Sequence, residues 1–377
     1  MVVKTERSSM RRYDIDWLRI FAMGMVFLFH CARFFNNEGW HVKNDELSLG
    51  MSVFVMVVGQ WTMPLFFVLS AESASFSLAK RDNGHYIREK CARLLLPLLV
   101  GILFLAPPQV YVERLTHGDF SGSFLQFLPH YFDGFYAFGG NFAWMGLHLW
   151  YLEILFLFSL LTLPLFRLLS RRVFRERITR VAAYTEKRGT IFLAALPLGV
   201  LEALANMWPE GIGIRAFGGW SPLVYLGLFV LGFLFALDER FQRRAEKEWK
   251  TGLVLGILAT VAGIVLSTGG YSSRSVPFAF LRTFNCWCWL VALLGFAGRF
   301  CTFENAFLCY ANKAVLPFYM LHQPVIVLTG FLLMHAAMGV AAKYAILAAT
   351  SFAVVMVLFE WGIRRHRVSR VFFGMKA

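Results

Sequence analysis

Charge is scarce in this chain. Asp, Glu, Lys and Arg make up 16% of its 377 residues, and the acidic residues number 23 against 37 basic ones. With 58% hydrophobic residues and a mean hydropathy of +0.58, this composition excludes an ordinary soluble domain and places the chain in lipid. Cysteine chemistry is thin as well. Cys31, Cys91, Cys286, Cys288, Cys301 and Cys309 form no CxxC pair, and no histidine accompanies them at zinc-ligand spacing. They read as small buried hydrophobes or free thiols, and no metal site is expected. No Walker-type loop, dinucleotide fingerprint or nucleophile elbow occurs, so nucleotide hydrolysis and serine-hydrolase chemistry lack support. No internal repeat pairs the two halves, which weakens the case for an alternating-access transporter. A cleavable signal peptide is not visible either: the first sixteen residues are polar and the apolar run after them has spanning length, so that run is expected to remain as an anchor.

What is present is a succession of apolar runs. They predict an all-α, polytopic membrane bundle of about ten helices, near 17–37, 49–79, 94–112, 147–169, 191–207, 221–237, 251–268, 276–298, 314–337 and 342–363. Pro64 is the expected kink site of the long second run, because it lacks an N–H and crowds the preceding turn. With the N-terminus inside, the segments before 17 and at 80–93, 167–190, 238–250, 299–313 and 364–377 hold 29 of the 37 Lys and Arg, and the alternate loops hold six. The positive-inside rule therefore predicts cytoplasmic termini, with 1–16 as an N-terminal segment, 17–363 as the membrane domain and 364–377 as a basic tail. The net charge of +14 is then a topology signal and an attraction to anionic headgroups, with no nucleic-acid partner implied.

The segment 113–146 carries glycines among Phe120, Phe124, Phe127, Tyr131, Phe132, Tyr136 and Trp144. Its aromatic density predicts an interfacial or re-entrant cap. Such a cap either stacks on sugar rings or simply anchors at the headgroup level.

Polar residues inside or beside the spans are the remaining signal: Arg19, His30, Glu72, His148, Glu153, Asn285, His322, Gln323 and Glu360. Ionisable groups at such depth usually face a bundle interior or a water-filled cavity. Arg19 and His30 are eleven residues apart, almost three helical turns, so they share a stripe about 16 Å long. Imidazole titrates near neutral pH, which makes His30 a candidate general base; an interhelical hydrogen bond is the plainer reading. At the mouth of the third span, Lys90 and Arg93 share a face at i,i+3, with Arg88 adjacent. With Arg19 they form a cationic group suited to a phosphate-bearing ligand.

Tyr13-Asp14-Ile15-Asp16-Trp17-Leu18-Arg19 with His30, Met63-Pro64-Leu65-Phe66-Phe67-Val68-Leu69-Ser70, Arg93-Leu94-Leu95-Leu96-Pro97, His148-Leu149-Trp150-Tyr151-Leu152 and Leu316-Pro317-Phe318-Tyr319-Met320-Leu321-His322-Gln323 occur in that order. Together they resemble the integral-membrane acyltransferase-3 family, over about residues 13–363. That family includes periplasmic glucan succinyltransferases and O-antigen acetyltransferases. The resemblance implies a bundle in the bacterial inner membrane that moves an acyl group, acetyl or succinyl, from cytoplasmic acyl-CoA to a hydroxyl of an envelope glycan. It implies no permanently bound cofactor. The family's arginine–histidine pattern falls on Arg19 and His30, and its basic motif on Lys90 and Arg93. Where many members carry a serine-glycine-aromatic turn, this chain has Ser70-Ala71-Glu72.

Acyl transfer from a thioester needs a base, donors for the developing oxyanion and a dock for the CoA phosphates. His30 is expected to be the base, oriented by Glu72 or Glu153. Trp150, His322 and His148 are the acceptor-site or oxyanion candidates, and Arg19, Arg88, Lys90 and Arg93 the dock. Fourteen residues follow the last expected span, so either the acceptor comes to the outer face or a separate partner protein collects the acyl group. From a different class, a proton-coupled lipid or sugar transporter explains the intramembrane charges equally well but not the shared order of motifs, and a sensor or scaffold without turnover is a third reading.

Overall fold

Residues 11–215 and 218–376 are described by a computed structural model. The first ten residues of the expected 1–16 segment and the last residue of the 364–377 tail lie outside the described residues. The described chain is helical, with one isolated bridge between Phe135 and Phe142.

Among the described residues eight helices are long and apolar enough to cross a bilayer, and a bent pair taken as one span makes a ninth. α1 is Tyr13–Arg33, about 31 Å at ~1.5 Å per residue, which matches the hydrocarbon core. The second span is broken into α2, Leu49–Gly59, and α3, Thr62–Lys80. The break falls at Gln60 and Trp61, where the ring of Pro64 crowds the carbonyl four residues back. α4 runs from Asn83 to His117, longer at both ends than the expected 94–112. Within it Cys91–Leu95 widens to a π turn, Leu96 N–H bonding to the Cys91 carbonyl. Pro97 has no N–H for the Arg93 carbonyl, and a widened turn relieves the crowding.

The expected 147–169 span is α5, Leu147–Leu161, and α6, Leu163–Leu169, bent by 53°. Pro164 sits at the bend. α7 is Arg172–Tyr184 in the Arg-rich loop, followed by α8, Thr190–Met207. The expected sixth span is α9, Pro222–Ala236, whose fifteen residues reach only about 22 Å. α10 (Glu239–Thr268), α11 (Val276–Phe300), α12 (Ala306–Leu333), α13 (Val340–Ile363) and the short α14 (Arg367–Phe372) complete the bundle. Ser221, Asp238, Ser275 and Asn305 cap the helices they precede through their side-chain oxygens.

α10 and α11 pack through small residues, as helices do where lipid supplies no hydrophobic drive. A Cβ on Gly295 would lie 2.1 Å from the Ala245 carbonyl oxygen, so the two backbones touch and any side chain there would separate them.

The two ends of the bundle differ. At one end the N-terminal segment, the 299–313 loop and the C-terminal tail converge: Tyr13 Oη donates to Glu304 at 2.6 Å, and Trp17 Nε1 donates to the Phe303 carbonyl. At the other end the 113–146 segment closes on α4 around its own small core of Ala106, Val110, Phe127, Tyr131 and Ala143. Tyr131 Oη donates to the Ile102 carbonyl at 2.8 Å, while Phe132, Phe135 and Phe138 point outward. Reporter fusions are expected to place the tail and the 167–190 loop on the cytoplasmic face and 113–146 on the opposite one. An outward 167–190 reporter would overturn this topology.

Candidate active site

A cavity of about 870 Å³ opens at the basic end. Arg19, Lys90 and Arg93 line it, and so do Arg11, Lys313, Arg370 and Lys376, against one carboxylate, Glu89. Arg19 is held from three sides, by Asp16 at 3.1 Å, the Leu69 carbonyl at 3.4 Å and Ser73 Oγ. The Lys90 ammonium lies 5.1 Å over the Tyr86 ring, and Arg93 reaches Glu89 at 3.4 Å. The tail folds back into the mouth: a Cβ on Gly374 would come within 2.6 Å of Leu316, and the positive φ of this glycine makes the turn.

Inward, the walls become apolar. Met23 and Val26 continue the Arg19 stripe of α1, facing Met63, Phe66 and Leu155. Tyr151 and Tyr319 line the cavity there, Tyr151 Oη lying 2.6 Å from Ser70 Oγ.

Beyond the tyrosines three histidines cluster. The His30 and His322 rings are 4.9 Å apart, and those of His322 and His148 are 5.2 Å apart. Backbone chemistry in α12 sets their arrangement. Pro324 has no N–H for the Met320 carbonyl, and His148 Nε2–H donates to that freed oxygen at 3.1 Å. His322 Nδ1–H donates to the Tyr319 carbonyl at 2.6 Å, which leaves its Nε2 as an acceptor facing His30 Nδ1 at 3.2 Å. His30 Nδ1–H also donates to the Val26 carbonyl at 2.9 Å, one turn back on α1. This bonding pattern assigns the tautomers. It leaves the proton-accepting lone pair of His30 on Nε2, which has no protein partner among the described residues.

A second network lies at the aromatic end. His41 pairs with Glu113, whose carboxylate also accepts from Tyr136 Oη at 2.8 Å and faces Arg114 at 3.4 Å. Burial and the neighbouring Glu113 charge push the Tyr136 phenol pKa well above its usual value, so it remains a donor. Gln323 bridges His41 Nε2 and Gln109 Oε1, both at 3.1 Å. Trp40 stands between the networks, its ring 6.4 Å from His30 and 5.6 Å from His41. In the same 34–48 loop, Lys43 donates to the Arg33 carbonyl; burial and Arg33 lower its amino pKa to about 8.

The structure thus brings Arg19, Lys90 and Arg93 together at the cavity mouth and His30, His148 and His322 into a separate cluster behind Tyr319, and it corrects other expectations. Arg88 is exposed and does not line the cavity, because two residues along a helix place it on a different face from Lys90. Neither Glu72 nor Glu153 orients His30. Glu72 lies 3.8 Å from Arg12, midway along α3, and Glu153 makes no hydrogen bond to the imidazole. His322 takes the orienting place instead. Its one N–H is committed to Tyr319, so in this tautomer it has none to offer an oxyanion. Trp150 packs on Tyr225 and Phe67, away from the histidines. Sequence reasoning missed His41 and Glu113, and it read Arg370 and Lys376 only as topology charges. Among the described residues no group of three or more His, Cys, Asp or Glu side chains is arranged to hold a metal ion.

The family model Acyl_transf_3, the acyltransferase domain, matches residues 12–363. Among curated proteins, the chain is similar to "Glucans biosynthesis protein C" of Escherichia coli O81 (strain ED1a), 23% identical over 336 residues, covering 85% of this chain and 84% of the relative. The proteins of that name from Escherichia coli (strain K12) and Shigella dysenteriae serotype 1 (strain Sd197) match to the same extent. No solved structure matches.

Proposed function

Because the chain belongs to the acyltransferase-3 family, we propose that it transfers an acyl group from acyl-CoA to a hydroxyl of an envelope glycan, with His30 as general base. The observation that carries this reading is a cleft that runs from a cationic mouth through an apolar shaft to Tyr151 and Tyr319, with the histidine cluster packed directly behind Tyr319. Its mouth suits the phosphates of CoA, which guanidinium groups bind bidentately, and its shaft suits the thioester arm. The similarity to glucan biosynthesis proteins supports a glucan or related carbohydrate as acceptor; acetyl and succinyl are the groups that the family resemblance implies.

In this mechanism the His30 Nε2 lone pair takes the proton of the acceptor hydroxyl as its oxygen attacks the thioester carbonyl. The C–S bond then breaks, and the imidazolium returns the proton to the CoA thiolate. His322 Nε2, facing the Nδ1 side of His30, stabilises the transient imidazolium. The basic mouth faces the cytoplasm of a bacterial inner membrane, where acyl-CoA is made, and the aromatic cap faces the acceptor. If the acceptor does not reach this face itself, a separate partner protein collects the acyl group there.

The test is direct. Purified protein incubated with radiolabelled acetyl-CoA and succinyl-CoA is expected to release labelled acyl group from one of them, as product or as thioester hydrolysis. Inertness toward both, in protein shown to transport a proton-coupled substrate, would replace this reading by the transporter. Mass spectrometry of envelope glycans from a deletion strain identifies the acceptor by the acyl group it loses.

A further inference from the structure

Away from the cleft, α2, α10, α11 and the loop after α8 enclose a second pocket of about 220 Å³. Two guanidinium groups line it, Arg215 from the loop and Arg282 from α11. Both donate to the same carboxylate, Glu202 on α8, at 2.7 and 3.0 Å, and Glu202 is fully buried. Arg282 is further fixed 4.0 Å over the Trp220 ring and by the Gly219 carbonyl; Arg215 also donates to Asn206 Oδ1. Two rigid cations on one anion leave the group one negative charge short. Such an imbalance is costly at membrane depth unless an anion completes it.

A second observation points to a ligand. Asn285 is 5% exposed and lines the same pocket. Its Oδ1 accepts from Thr260 Oγ1 at 3.0 Å, while its amide N–H groups meet no acceptor among the described residues. Two arginines and an unsatisfied amide are donors only, and together they suit oxyanion oxygens.

The position of the pocket says what carries the anion. Thr260 lies eight residues before the end of α10, roughly 12 Å along the axis. Beside it Val261 and Val265 are 53% and 61% exposed on the lipid-facing side of α10, and Met56 of α2 is 37% exposed at the other edge. A ligand here has an apolar surface along which to lay a chain.

We propose that this pocket binds the phosphate of a net anionic membrane lipid, with the phosphate on Arg215, Arg282 and Asn285 and an acyl chain descending past Gly263 and Ile264. This site is separate from the acyl-transfer cleft and stands whether or not that reading holds.

The experiment is native mass spectrometry of the full chain in detergent with phosphatidylglycerol, phosphatidylcholine or excess inorganic phosphate. Wild type is expected to retain phosphatidylglycerol several-fold over phosphatidylcholine. Arg215→Gln removes one phosphate donor, and retention should fall roughly tenfold. Gly263→Phe leaves every charge in place: a Cβ there meets nothing within 4 Å, so the ring enters the pocket without displacing the backbone. It too should lose the lipid roughly tenfold while eluting as a monodisperse species. Equal retention by wild type and Gly263→Phe, or equal retention of the two lipids by wild type, would overturn the site. Displacement of phosphatidylglycerol by inorganic phosphate alone would uphold the phosphate site and overturn its assignment to lipid.

Discussion

Replacing His30 with glutamine is expected to lower acyl transfer by ~10²–10⁴-fold, the usual contribution of a positioned general base, while the protein stays folded and still binds acyl-CoA. The side-chain bonds of His30 make the substitution informative. Nδ1–H is spent on the Val26 carbonyl and on His322, and a glutamine amide can replace those donations. It cannot replace the lone pair on Nε2. A merely structural histidine would therefore be rescued by glutamine, and a base would not. His30→Ala should be as inactive as His30→Gln. Retention of more than roughly a third of wild-type transfer by the glutamine variant, at equal amounts of folded protein, would remove His30 from the chemistry.

Alanine at Arg19 or Arg93 is expected to weaken acyl-CoA binding ten- to a hundredfold and to slow the bound chemistry much less. Each removes a charge-assisted contact of about 1.5–3 kcal/mol at the cleft mouth. Arg88→Ala is the control, because that side chain points away from the cavity and should leave affinity within a factor of two. Calorimetry with a non-hydrolysable acyl-CoA analogue separates these outcomes. Unchanged affinity in both Arg19→Ala and Arg93→Ala would exclude the mouth as the CoA dock.

Much of this arrangement is legible in the sequence because the helical period is a local property. Arg19 and His30 can be placed on one stripe from their spacing alone, and the structure lays Met23 and Val26 between them along the cavity wall. The pairing of Lys90 with Arg93 follows from the same period; Arg88 joins the expected dock through adjacency in sequence alone, and the period sets it on another face. Prolines were informative to the same degree: Pro64 marked the broken second span, although the break falls before it, at residues 60–61.

Contacts across long separations were not legible. His41 and Glu113 are 72 residues apart, each in a segment whose sequence signals only a loop or a helix end. Lys376 reaches the mouth because the chain turns back at Gly374, and Arg370 because α14 packs against Leu96–Val100 of α4; no periodicity announces either.

By itself, then, the sequence determined the helical membrane class, the approximate spans and the candidate base with its cationic dock, since apolar run length, Lys and Arg bias and 3.6-residue phase act within one helix. Only the tertiary structure decided which partner orients His30. Residue chemistry points to a carboxylate, but helix packing places Glu72 beside Arg12 and gives His30 a histidine instead. The carbonyl that Pro324 frees in α12 holds a third histidine alongside, a consequence of one missing N–H that becomes visible only when another helix brings His148 to it.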